Sequence, residues 1–149
     1  MTGQEHIHLF KQSIEAFNQG DFNKAVEPFA ENAVFTDVTQ LQPLQGREAI
    51  RKSFEKGRLA SPDLRLTPTN WITGEDHVVM EYNTTGTHKG PWEVAGTTTI
   101  PATNKRFQTK GVAVAKLSEG RIISFTDYSD SVNSYKQLGM FQAAGVPPR

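Results

Sequence analysis

Residues 107–130 read FQTKGVAVAKLSEGRIISFTDYSD. Two long runs carrying Val, Ile, Thr and Phe flank Glu119-Gly120, a pair suited to a tight turn, so Phe107 to Leu117 is expected to form one long strand and Arg121 to Asp130 the last one. Side chains alternate between the two faces of a strand. Counted from Arg121, Ile123, Phe125 and Asp127 share one face, while Ser124, Thr126, Tyr128 and Asp130 share the other, with Ile122 as its apolar exception. The same count groups Gly111, Ala113 and Ala115, small residues that leave space beside a curved sheet. Asp127 is therefore expected to point inward among apolar groups, and Asp130 to face away or end the strand.

Strand character extends upstream to Pro62. Leu64, Leu66, Asn70 and Ile72 alternate with polar residues, Gly74-Glu75-Asp76 makes a turn, and Val78, Met80, Tyr82, Thr84, Gly86 and His88 share one face of an unbulged strand. Gly90-Pro91 turns the chain again before Trp92, Val94, Thr98 and Ile100, and Pro101 to Lys105 connects to the long strand. The first third differs. Ile7, Phe10, Ile14 and Phe17 recur at helical spacing up to Gly20, and Asp21 can cap a short second helix presenting Phe22, Val26 and Phe29. Ala33 to Asp37 reads as a short strand, and Gln45-Gly46 opens a third helix with Ile50 and Phe54 inward and Arg47, Arg51 and Lys52 outward. Helices followed by an antiparallel meander predict an α+β fold, with the N-terminal helices packed on one face of a curved antiparallel sheet that encloses a cone. One domain over residues 1–149 is expected, with 143–149 as a loose tail.

Composition narrows the chemistry. The 149 residues include no cysteine, which excludes thiol nucleophiles and Cys-based metal sites and fits a reducing cytoplasm. Sixteen basic residues balance sixteen acidic ones, so no nucleic acid or anionic membrane is expected as a partner. The N-terminus MTGQEHIHLF lacks a secretory pattern, and no run approaches the ~20 apolar residues of a membrane span. No metal is expected. His6 and His8 point apart on a helix, His77 and His88 have opposite strand parity, and there is no H-E-x-x-H, P-loop, G-x-S-x-G or G-x-G-x-x-G.

Among the candidates, Asp127 is the sharpest. Burial disfavours a charged carboxylate and raises its pKa toward the range useful for general acid–base work. The structural alternative is an Asp satisfied by Tyr, Thr or backbone donors. His88 either lines the same cavity, where it would polarise or protonate a carbonyl oxygen, or ends its strand in solvent. Asp37 either reaches the cavity mouth or forms a turn. Tyr82, Trp71, Trp92, Phe35 and Phe17 are aromatic walls for a flat substrate or plain core.

Several runs also carry a family likeness. Gly86-Thr87-His88-Lys89-Gly90 resembles the G-T-H-x-G of SnoaL-like polyketide cyclases, and Pro101-Ala102-Thr103-Asn104-Lys105-Arg106-Phe107 resembles their P-x-T-G-K-x-F turn, with Asn104 in place of Gly. Gly120-Arg121-Ile122 stands where the family writes G-K-I, and Asp127-Tyr128-Ser129-Asp130 with Gln137-Leu138-Gly139 is similar to its D-[WY]-x-D…Q-L-G. Phe17 to Asp21 resembles the family's first helix exit. The resemblance covers nearly the whole chain. It implies the nuclear-transport-factor-2-like cone, a homodimer, and cofactor-free, metal-free aldol cyclisation or isomerisation of a small hydrophobic carbonyl compound. Asp127 corresponds to the acid–base Asp, three residues before a second Asp, here Asp130, which joins the substrate-side candidates. Some of these cyclases place a His opposite the Asp, where this chain has Ala113. Within the same fold the alternatives are a non-catalytic ligand-binding or dimerisation module, a ketosteroid isomerase-like enzyme, and an epoxide hydrolase-like enzyme recruiting Asn70, Tyr82 and Asp37.

Overall fold

The computed structural model describes residues 2–94 and 98–140, so the expected tail at 143–149 lies outside the described residues. The chain begins with α1 (Gly3–Gln19), held by a Thr2–Glu5 capping box and ended at Gly20 in the left-handed region, and α2 (Phe22–Ala25), capped by Asp21 as expected. Strand β1 (Phe29–Asp37) and the short β2 (Leu44–Gln45) lead into α3 (Arg47–Ala60). Then come β3 (Arg65–Thr73), β4 (His77–Thr87), β5 (Trp92–Val94), β6 (Thr98–Ile100), β7 (Arg106–Ser118), β8 (Arg121–Ser129) and α4 (Ser131–Gln137).

The order β2-β1-β8-β7-β4-β3 makes one curved six-stranded sheet, and β5 and β6 pair separately. The α+β class and the N-terminal helices agree with expectation. The meander does not extend to β1, which lies parallel to β8 with Asp37 beside Asp127 in register. Parallel pairing between strands far apart in the chain is invisible to local alternation.

Two bulges correct the parity counts. Lys116 faces Ser124 while Leu117 faces Ile122, so Ile123 is an extra residue, and Ile122 turns inward at 1% exposure. From Ser124 onward the count is unaffected. A second shift between Pro68 and Asn70 leaves Leu66 at the cavity but carries Asn70 and Ile72 outside and Trp71 inside. On α1 the buried seam runs through His6, Phe10, Ser13 and Ala16, with Ile14 and Phe17 on its cavity side. Arg47, expected outward, turns back to donate to the Phe29 carbonyl at 2.6 and 3.1 Å. The core joins Phe10, Val26, Phe29, Ile50, Val78 and Ile122, closing the space between helices and sheet on one side. The small residues of β7, expected to leave space, are themselves covered: Ala115 packs in this core, Ala113 beside Met80 and Tyr82, and Gly111 under the Tyr82 ring.

Candidate active site

Between α1, α3 and the concave sheet lies a cavity of about 880 Å³. Its walls are largely apolar and carry many aromatic rings. Phe35 stacks on Phe125 with ring centres 4.8 Å apart, and Phe17 meets Phe54 edge-on at 5.2 Å. Parallel and edge-on rings present flat faces, which suits a flat ligand.

Asp127, on β8, faces this cavity and is partly buried. Its neighbours across the sheet are Asp37 on β1 and Ala113 on β7. The Tyr82 hydroxyl, from β4, donates a short hydrogen bond to Asp127 Oδ1. Gly111 makes that reach possible, since a Cβ there would lie 2.3 Å from the Tyr82 hydroxyl oxygen. Small residues on β7 thus serve partly to house a phenol instead of leaving a void. Asp37 also lines the cavity, with its Oδ1 accepting from the Thr39 N–H at 2.9 Å and the Thr39 hydroxyl at 2.7 Å.

These surroundings tune the carboxyl. Burial pushes Asp127 up to about 6, the Tyr82 hydrogen bond opposes the rise, and the Asp37 charge adds to it. Burial first, then the Asp127 charge and hydrogen bond, raise the Tyr82 phenol well above its ordinary range, so it stays protonated and can only donate to the carboxylate.

The shift has a consequence for stability. The folded carboxyl holds its proton up to about pH 6 and the unfolded one only to about 3.8, so between those values the native state binds more protons and loses stability as pH rises. Asp127→Asn removes that loss. The variant is expected to gain up to about 3 kcal/mol over the parent between pH 3 and pH 8, read by denaturant unfolding at both pH values. An equal difference at the two pH values would show that Asp127 ionises without cost.

His88 lies just past β4 and is wholly buried at the cavity wall. The glycines either side of it explain its motif. A Cβ at Gly86 would stand 2.2 Å from Ser61 Oγ, and one at Gly90 would stand 2.1 Å from the Leu59 carbonyl. Both permit the C-terminal end of α3 to close on this turn, where Lys89 and Gly90 donate to the Ala60 carbonyl at 3.0 Å each. Asn104, which stands in place of Gly in the likeness above, takes left-handed geometry, with φ 58°, which Asn tolerates better than most residues.

The other candidates divide. Phe17, Phe35 and Trp92 line the cavity. Trp71 is not among the lining residues; it packs edge-on to Phe10 at 6.0 Å in the core, because the β3 bulge turns it there. Asp130 is exposed, and its carboxylate caps α4 by accepting from the Asn133 N–H at 3.2 Å. Asn70 is exposed outside the cavity, so the Asp–Asn–Tyr set of an epoxide hydrolase is not assembled. The Asp37–Asp127 adjacency has no local signal, whereas the Thr39 contacts are those of the turn offered for Asp37, which both lines the cavity and forms that turn. The Gly111–Tyr82 fit had a faint one, a glycine within a strand. Among the described residues no group of three or more His, Asp or Glu could hold a metal ion, and no helix is long and apolar enough to cross a membrane.

The family model of the SnoaL-like polyketide cyclases matches residues 7–138. The chain belongs to this family. Aklanonic acid methyl ester cyclase DnrD from Streptomyces peucetius is 24% identical over 148 residues, covering 89% of this chain and 90% of DnrD. TsrD from Streptomyces laurentii is 20% identical over 95% of this chain and 99% of its own, with a TM-score of 0.82. A protein of ketosteroid isomerase-like fold from Catenulispora acidiphila, solved in complex with trimethylamine, is 19% identical over 89% and 93% of the two chains, with a TM-score of 0.74. Such structural likenesses establish the fold. In this SnoaL-like chain the register places Ala113 opposite Asp127, buried at 1% exposure and with no polar group to offer it. The polar partner of Asp127 comes instead from Tyr82, one strand further across the sheet.

Proposed function

We propose that this SnoaL-like chain is a cofactor-free cyclase of a polyketide-type carbonyl compound, with Asp127 as its acid–base group. The observation that carries this reading is a carboxyl set in an aromatic-walled cavity, with Oδ1 held by Tyr82 and its basicity raised toward neutrality. Asp127 removes a proton from carbon between two activating carbonyls. The electron pair forms a carbon–carbon bond to a ketone carbon within the same molecule, and the resulting alkoxide takes the proton back from Asp127. Atoms balance, and the product is an isomer of the substrate. A proton already acidified by two carbonyls needs only a modest contribution from one positioned base, typically 10²–10⁴-fold.

An open cavity and a carboxyl with one oxygen not engaged by Tyr82 favour this over a ligand-binding module, for which a filled pocket and a fully satisfied Asp are expected. The first substrate to test is aklanonic acid methyl ester, the compound in the name of the DnrD relative, followed by a panel of polyketide β-dicarbonyls. Ring closure is followed by chromatography of isomers of equal mass. Absence of any isomerisation above the buffer rate across the panel would remove the cyclase reading.

The pH profile tests the site separately. The rate should fall below about pH 6 as Asp127 takes up a proton. Tyr82→Phe removes a hydrogen bond that favours the carboxylate, so its acid limb moves to higher pH. Asp37→Asn removes a neighbouring negative charge, so its acid limb moves to lower pH. Shifts of the same sign in both variants would contradict this assignment.

A further inference from the structure

His88 has 0% exposure, yet one of its ring nitrogens lacks a hydrogen-bond partner among the described residues. The Thr103 N–H donates to Nδ1 at 3.3 Å, and the Thr103 hydroxyl lies 3.1 Å from the same atom. A nitrogen that accepts from a backbone N–H carries no proton, so in the neutral ring the proton sits on Nε2. Nε2 is the atom without a partner. The backbone around the ring is tied down, with the His88 N–H donating to the Lys105 carbonyl at 2.9 Å and its own carbonyl accepting from the Asn104 N–H at 2.8 Å. The ring is therefore held with a buried donor unmet, an unfavourable condition that a bound acceptor would relieve. Trp92 stands edge-to-face against the imidazole at 5.6 Å, and any N–H contact with its π-face is a second-order compensation. Both residues line the cavity.

We propose that the end of the cavity walled by His88, Trp92 and Phe107 is a subsite for an acceptor oxygen, a ketone or quinone carbonyl, which takes a hydrogen bond from His88 Nε2. This rests on reading the cavity as the substrate pocket, though not on the chemistry assigned to Asp127. His88 here binds and orients; it transfers no proton. Nε2 is itself buried, so the oxygen reaches it only as surrounding side chains give way.

The two polar ends lie well apart. His88 follows Thr87, whose partner on β7 is Arg106, while Asp127 pairs with Ala113 on the same strand. Those β7 positions are separated by 113 − 106 = 7 residues, roughly 23 Å of extended backbone before curvature shortens it. A ligand that engages both ends is elongated and, between these aromatic walls, flat.

Anthraquinone-2-sulfonate and anthracene-2-sulfonate share a ring skeleton and differ in the carbonyls. Their affinities are compared by calorimetry at pH 8, where Asp127 is ionised and cannot donate. The parent protein is expected to bind the quinone about tenfold more tightly, a plausible worth for meeting a buried donor. His88→Leu should abolish that preference while retaining the hydrocarbon. As an independent readout that needs no variant, the His88 ring nitrogens are followed by NMR: Nε2 should be the protonated nitrogen, and its proton should shift with the quinone and not with the hydrocarbon. The proposal is overturned if the parent binds the two probes equally or binds neither, if the preference survives in His88→Leu, or if the Nε2 proton ignores the quinone. Loss of the cyclase reading would appear in turnover assays alone and leave this binding difference intact.

Discussion

Asp127→Asn is expected to lower turnover by about 10²–10⁴-fold while leaving the fold and ligand affinity close to those of the parent, the range that one positioned proton-transfer group contributes. Asn has the shape of Asp, and its carbonyl oxygen can still accept from the Tyr82 hydroxyl, so the hydrogen bond that orients residue 127 survives. What disappears is the ability to take a proton. The aromatic side chains that line the cavity are untouched by this change. The loss should therefore fall on kcat, with KM changed little. Turnover at the parent rate in this variant would falsify the mechanism, and a matched fall in thermal stability would show that the variant had failed structurally.

The second large effect concerns space. Gly111→Ala places a methyl group 2.3 Å from the Tyr82 hydroxyl oxygen and 2.4 Å from Cζ, well inside any tolerated contact. Tyr82 is buried at 5% exposure between β7 and the cavity, so relief requires the ring to move, and movement breaks its bond to Asp127. Overpacking of this kind costs about 1–3 kcal/mol, which for a chain of this length lowers Tm by roughly 2–10 °C. Activity should drop in step, with the acid limb of the rate profile displaced to higher pH as in Tyr82→Phe. Adding Tyr82→Leu to Gly111→Ala removes the obstructing ring, so the double variant should be more stable than the sum of the single changes predicts. Strict additivity across that cycle would mean that the glycine is needed for something other than the phenol.

Both variants act on a carboxyl whose orientation was readable before any coordinates. From Ser124 onward one face of β8 is Phe125, Asp127 and Ser129, and alternation alone puts Asp127 with Phe125. The same logic works for β4, where Val78, Met80 and Tyr82 all lie in the interior. It misleads wherever a strand gains a residue. Alternation puts Ile122 on the wrong face and groups Asn70 and Ile72 with Leu66, because bulges at Ile123 and near Thr69 reset the count, and nothing in the local sequence announces a bulge. Asp130 shows another limit. A second Asp three residues after the first suits a substrate contact as well as a helix cap, and α4, unrecognised in the sequence, claims it as a cap.

Side-chain direction along a regular strand is a local property of the backbone, which is why the α+β class, the helical N-terminus, the inward face of Asp127 and the glycine-spaced turn around His88 could all be read from residue order. The company Asp127 keeps is a different matter. Asp37 reaches it through parallel pairing of strands 127 − 37 = 90 residues apart, Tyr82 crosses β7 through the gap at Gly111, and the unmet nitrogen of His88 depends on where Thr103 comes to rest. Each of these meetings requires the sheet to curl and the helices to close over it, and that long-range packing carries no period that a single chain displays.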